Sequence, residues 1–256
     1  MGAGARSAGA QPLSAVRTWW GNHLGELRWQ AELARLLVDP VYHGFGVPHG
    51  SGGTVLLVPG FLAGDSSLTV MADWLTRIGY RPRPSGIQLN VDCSNRALLR
   101  LERRAEEAAE EAGERIAVVG HSRGGHFAKA LAHRRPDLVR AVVSLGTGLD
   151  TPFDISLPTL AAVALARVVQ PQSRPPGCFT TGCGCPFAHH FRSEFPPEIP
   201  LTSVYTRGDG VVWWEACVVP YARCVEVTGS HLGLACNRKA YCVVAEALAA
   251  AFAPGA

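Results

Sequence analysis

Apolar residues in this chain alternate between two patterns. The continuous runs "TVLLVPG" from 54, "IAVV" at 116–119 and "VRAVVSL" at 139–145 have the length and β-branched content of strands covered on both faces. Between them, residues 66–79, 94–113 and 123–134 repeat apolar positions at helical spacing, with Ser94 placed to cap the second helix and Gly113 to end it. Further strands are predicted over 86–91, 201–206 and 223–227, and a last helix over 238–252. An amphipathic helix is predicted over 12–38, with Leu13, Val16, Trp20, Leu24, Leu27 and Ala31 on its apolar face. Strands alternating with helices of this length imply βαβ crossovers. The expected class is therefore α/β, with a mostly parallel central sheet and helices on both faces.

Residues 149–200 break the alternation. "LPTLAAVALARVV" (157–169) reads as an apolar helix and is followed by a segment rich in Pro, Gly and Cys. So long an excursion predicts a cap or lid over a site. The chain then divides into a helical extension (1–50) packing on the core, a core formed by 51–148 and 201–256, and a cap insertion (149–200).

Composition narrows the class further. With 47% hydrophobic and 18% charged residues, the 256-residue chain reads as globular. Its net charge of +3 comes from basic residues spread along the chain, so no nucleic acid is expected as a partner. No secretory signal pattern and no apolar run of roughly 18 residues is present, so a cytoplasmic location is expected. Eight cysteines are present. Cys178, Cys183 and Cys185, followed by His189 and His190, lack the paired spacing of a zinc site, and no metal is expected. The sequence favours unbonded thiols over a disulfide from Cys178 to one of the other two.

The chemistry concentrates in "VVGHSRGGHF" (118–127), which places Ser122 between Gly120 and Gly124 at a predicted strand-to-helix junction. Such a turn lifts a serine hydroxyl above the carboxyl end of a sheet. A serine is a poor nucleophile without a histidine base, and the histidine needs a carboxylate to fix its tautomer. Asp209 in "VYTRGDGVV" and His231 in "VTGSHLGL" follow consecutive predicted strands, in the order serine, acid, histidine. Two backbone amides are expected to hold an oxyanion: that of Arg123, and that of Phe61 in "LLVPGFLAGDSS". His121, Leu62, Trp213 and Leu232 are expected to line the substrate pocket, with Trp214 beside Trp213 at its mouth.

With "VPGF", "GHSRGG", "RGDGVV" and "GSHLGL" in place, the chain resembles an α/β-hydrolase of the serine esterase and lipase group over roughly residues 54–252. More narrowly, it is similar to actinobacterial lipase-like α/β-hydrolases with a cysteine-containing cap. The resemblance implies carboxylic ester hydrolysis without a cofactor, with Ser122 as nucleophile, His231 as general base and acid, and Asp209 orienting the imidazole. A serine at the elbow excludes the haloalkane dehalogenases and epoxide hydrolases of this fold, which attack with aspartate. An acyltransferase or thioesterase would use the same residues, and a non-catalytic ligand-binding relative would not need all three.

Each assignment has a rival. Asp150 and Asp154 are alternative acids, Asp209 suits a simple turn, and His121, His126 and His133 fit packing or helix-surface roles, with His121 also able to line the pocket. The apolar cap favours a small-molecule ester with an aliphatic acyl group. The N-terminal helix and the cap are candidate contacts with a lipid surface.

Overall fold

A computed structural model of the chain describes residues 24–169, 178 and 180–255. Six strands, β1 (Thr54–Val58), β2 (Arg81–Pro84), β3 (Ile116–His121), β4 (Val139–Leu145), β5 (Leu201–Tyr205) and β6 (Arg223–Glu226), form one sheet in the order β2-β1-β3-β4-β5-β6. Every neighbouring pair is parallel. The helices are α1 (Trp29–Leu37), α2 (Thr69–Arg77), α3 (Ser94–Ala112), α4 (Arg123–Arg134), α5 (Leu157–Val169), α6 (Pro186–Arg192) and α7 (Arg238–Ala251).

Strand side chains alternate between two cores because successive residues point to opposite faces. Val55, Leu57, Val119 and Val143 pack with α2 and α7, whereas Leu56, Val58, Val118 and Val142 pack with α3, α4 and α6. Helices on both faces explain why the central strands read as unbroken apolar runs. Gly113 adopts φ 67° and closes α3, as its position predicts. Among the described residues, no helix is long and apolar enough to cross a membrane.

Three local expectations are corrected. The second strand is the Arg-Pro-Arg-Pro segment of β2, not 86–91. β2 lies at the edge of the sheet, where missing proline amides are tolerated. Residues 86–91 instead bond to the loop after β1, through Asp65 N to Ile87 O (2.9 Å) and Asn90 N to Ala63 O (2.8 Å). Ser94 is the first residue of α3 rather than its cap, and its hydroxyl accepts from the Arg123 guanidinium at 3.0 Å.

The third correction concerns the N-terminal helix. Its described part is a 3-10 turn (Glu26–Arg28) running into α1, while Leu13, Val16 and Trp20 lie outside the described residues. Leu24, Leu27 and Ala31 are exposed, and the face turned inward carries Glu26, Leu33 and Leu36 instead. Hydrophobic periodicity missed this rotation because two carboxylates, Glu26 and Glu32, sit on the inner face and are satisfied by backbone amides.

The strand-to-helix turn between β3 and α4 depends on close backbone approach. A side chain at Gly120 would meet the backbone of Gly124, and one at Gly124 would meet the Val58 carbonyl. Gly124→Ala should therefore strain the turn and cost ~1–3 kcal/mol of stability, read as a lower urea midpoint. An unchanged midpoint would show that α4 and β1 can separate freely.

Candidate active site

Ser122 has φ 53° and ψ −122°. It and Leu62 (φ 60°) are the only non-glycine residues with positive φ among the described residues, and both line the same cavity. Such geometry costs ~1–3 kcal/mol and persists only where the surroundings enforce it. Here the Ser122 amide donates to the Leu145 carbonyl (2.8 Å), and its carbonyl accepts from Thr147 Oγ1 (2.8 Å) and the Gly125 amide (2.9 Å).

Asp209 and His231 meet beside it. His231 Nδ1 donates to Asp209 Oδ2 at 2.7 Å, with both side chains almost fully buried. The other carboxylate oxygen accepts from the amides of Val211 (2.8 Å) and Val212 (2.7 Å), which fixes its orientation. With the Nδ1 proton committed to Asp209, the neutral ring carries its lone pair on Nε2. Burial opposes charge on His231, but the Asp209 charge, the hydrogen bond to it and the Glu26 charge outweigh burial and raise its pKa above 6.5. Ser122 and His231 both line the cavity, and no hydrogen bond joins their side chains.

Two other histidines share the cavity. His121 Nε2 lies 3.0 Å from the His231 carbonyl, which only accepts, so Nε2 carries the proton. Burial, reinforced by the His231 charge, lowers its pKa to about 4. His126 is bonded to the backbone of Gly148, and burial with the nearby Arg123 charge takes it to about 3. His133 stands apart, with Nδ1 3.0 Å from His190 Nδ1.

The loop after β1 is tied to the elbow through Asn90. Asn90 Nδ2 donates to the Pro59 carbonyl (2.8 Å), while its Oδ1 and its carbonyl both accept from Arg123 Nη1 at 2.7 and 2.9 Å. Arg123 also donates to the Asp92 carbonyl (2.8 Å). The Arg123 side chain thereby holds the Phe61 loop beside the serine that precedes it. β1 and β3 are the strands between which the strand order reverses, the usual ligand crevice of an open α/β sheet.

The cavity has a volume of about 690 Å³. α5 contributes Ala162 and Val163, α6 Phe187 and Phe191, and α1 Trp29 and Leu33, so the walls are largely apolar. His121, Leu62 and Leu232 line it, as do the oxyanion candidates Phe61 and Arg123, but Trp213 does not. Residues 154–156 run antiparallel to 211–213, with Ser156 N on Val211 O and Trp213 N on Asp154 O. This pairing presents Val211 and Val212 to the cavity and leaves Trp213 to start the next 3-10 turn. Trp214 stacks on Tyr205 and does not line the cavity either. The rival acids are engaged elsewhere: Asp150 accepts from Tyr221 Oη (2.6 Å), and Asp154 from Thr151 Oγ1.

A family model described as alpha/beta hydrolase fold matches residues 112–165, spanning β3, α4 and β4. Among solved structures, the mature form of the Bacillus licheniformis lipase BlEst2 superposes with a TM-score of 0.56 at 17% identity, covering 77% of this chain and 92% of that one. The fold is that of the α/β-hydrolases. The propeptide form of the same lipase gives a TM-score of 0.58 at 16% identity, covering 82% of this chain but only 52% of the other, so this chain spans about half its length. A thermophilic esterase gives 0.50 at 15% identity, covering 78% and 90%. The search of curated proteins found no match.

On this fold, Ser122, Asp209 and His231 follow one another along the chain in the order expected for it, on loops leaving β3, β5 and β6. Sequence reasoning missed Trp29, Leu33 and Glu26. Their spacing along one helical face was the available signal, obscured by the carboxylate among the apolar residues.

The three buried histidines should separate by titration. In ¹⁵N NMR spectra, His231 should protonate above pH 6.5, while His121 and His126 should stay neutral down to about 4 and 3. For the latter two, the unfolded chain binds more protons below 6.5 than the folded one, so their contribution to stability falls as pH drops from 6.5 toward those values. Protonation of His121 or His126 near 6.5 in the folded chain would contradict this assignment.

Proposed function

We propose that the chain is a serine hydrolase that cleaves carboxylic esters. The observation that carries the reading is the strained Ser122 elbow opening on the same cavity as the buried Asp209–His231 pair. His231 Nε2 takes the Ser122 proton as Oγ attacks the ester carbonyl. The resulting oxyanion is held by the Phe61 and Arg123 amides, the latter at the start of α4, where the helix dipole favours negative charge. Collapse transfers the proton from His231 to the departing alcohol and leaves an acyl-enzyme. Water, deprotonated by His231, then releases the acid and restores the serine. No cofactor enters these steps. The acyl group lies against the cap and α1, whose apolar side chains favour an aliphatic chain over a polar one.

The test is a panel of p-nitrophenyl esters of increasing acyl length. Each methylene that enters the cavity should raise kcat/KM up to about fourfold, from ~0.8 kcal/mol of apolar burial. Ser122→Ala should lower kcat on the order of 10⁶-fold and abolish fluorophosphonate labelling. No Ser122-dependent release and no labelling would sink the reading. Formation of a new ester when an alcohol acceptor is added would instead make the chain an acyltransferase.

The pH profile gives a separate test. Only neutral His231 accepts the serine proton, and its pKa is raised above 6.5, so kcat/KM should fall on the acid side with a midpoint above 6.5. An acid limb below 6.5 would assign the base elsewhere.

A further inference from the structure

We propose that Glu26 is a positioning residue that clasps the acid loop and the histidine loop together from outside the sheet, an inference that rests on the roles given to Asp209 and His231 above. Glu26 is only 7% exposed, although it lies in the first described turn of the chain. Its Oε1 accepts from the Gly210 amide (3.0 Å) and the His231 amide (2.8 Å), and its Oε2 accepts from the Leu232 amide (2.9 Å). One carboxylate therefore bridges the residue after Asp209 and the two consecutive amides of His231 and Leu232. Burying a carboxylate is costly unless it is fully bonded, so its placement at this junction is specific.

Further contacts along the same helix extend the clasp. Glu32 accepts from the Ser230 amide (3.0 Å) and hydroxyl (2.7 Å), and the Cys236 thiol donates to the Trp29 carbonyl (3.8 Å). On the opposite side, His121 holds the His231 carbonyl. The backbone of His231 is thus gripped at both its amide and its carbonyl while its ring is held by Asp209. The ionisable groups around the ring are Asp209, His121 and Glu26, with Glu32 one residue away through Ser230 and Cys236 beyond it. Glu26 also adds negative charge near an imidazole that must become cationic in the transition state.

The full-length chain is tested as wild type, Glu26→Gln, Glu26→Asp and Glu32→Gln on p-nitrophenyl butyrate, with active sites counted by fluorophosphonate labelling. Displacing a catalytic base by a fraction of an ångström costs roughly ten- to a hundredfold, so Glu26→Gln should lose kcat by that factor with KM nearly unchanged. Its acid limb should move to lower pH. Glu26→Asp keeps the charge and should keep the limb near the wild-type position, and Glu32→Gln should leave the limb in place. Unchanged kcat and limb in Glu26→Gln, or an equal limb shift in Glu32→Gln, would overturn the proposal.

Hydrogen exchange in the wild-type chain reads the clasp without any variant. The Gly210, His231 and Leu232 amides should be protected, and exchange at the rate of exposed loop amides would also overturn the proposal. A wild type that exchanges slowly but hydrolyses no ester would refute the ester-hydrolase reading and leave the clasp standing.

Discussion

The turn at Ser122 is the constraint on which the site is built. Its backbone adopts a conformation that most L-residues avoid, and it does so because three neighbours leave no alternative. Leu145 at the end of β4 and Thr147 just beyond it bond the turn on one side, and Gly124 lies against the Val58 carbonyl at the end of β1 on the other. β3 lies between these two strands, so the elbow can be gripped from both flanks. The first ten residues of α4 are buried as a consequence, since a helix starting at that turn must descend against the sheet.

From the elbow the organisation spreads through side-chain hydrogen bonds more than through apolar packing. Arg123 follows the serine, and its guanidinium reaches back to Asn90, which in turn holds the Pro59 carbonyl. Because a guanidinium presents several donors in one plane, the Arg123 side chain holds Asn90, Asp92 and Ser94 together, and Asn90 passes the tie on to Pro59. The arrangement also explains residues 86–91. They have the composition of a strand, but their hydrogen bonds go to the loop after β1, which lines the cavity.

Most of the fold and the core of the site were legible in the chain because they depend on local pattern. Central strands covered on both faces must be apolar throughout, and a glycine-flanked serine between such a strand and a helix has few other uses. Asp209 and His231 were legible because loops after consecutive parallel strands necessarily emerge at the same end of the sheet. What escaped was long-range and polar. β2 escaped because prolines at a sheet edge look like a linker, and the orientation of α1 escaped because its buried face is completed by Glu26 and Glu32. Their partners lie about two hundred residues later in the chain, a pairing that periodicity does not encode. Trp213 was misplaced for a related reason: the pairing of 154–156 with 211–213 decides which side chains of the loop after β5 face inward.

The cavity shows how little the identity of a residue determines its chemistry. His121, His126 and His231 are all buried and all line the same space, so desolvation pushes each toward the neutral form. In two of them burial and nearby positive charge outweigh the bonds to backbone and, at His121, the Asp209 charge, and their pKa values fall to about 4 and 3. The third has a buried carboxylate on Nδ1 and a second one at its backbone, and its pKa rises. A base must be neutral when it meets the serine and stable as a cation once it holds the proton. Only a histidine whose surroundings oppose burial with fixed negative charge meets both requirements. In this fold the negative charge reaches His231 from the loop after β5 and from the segment preceding α1.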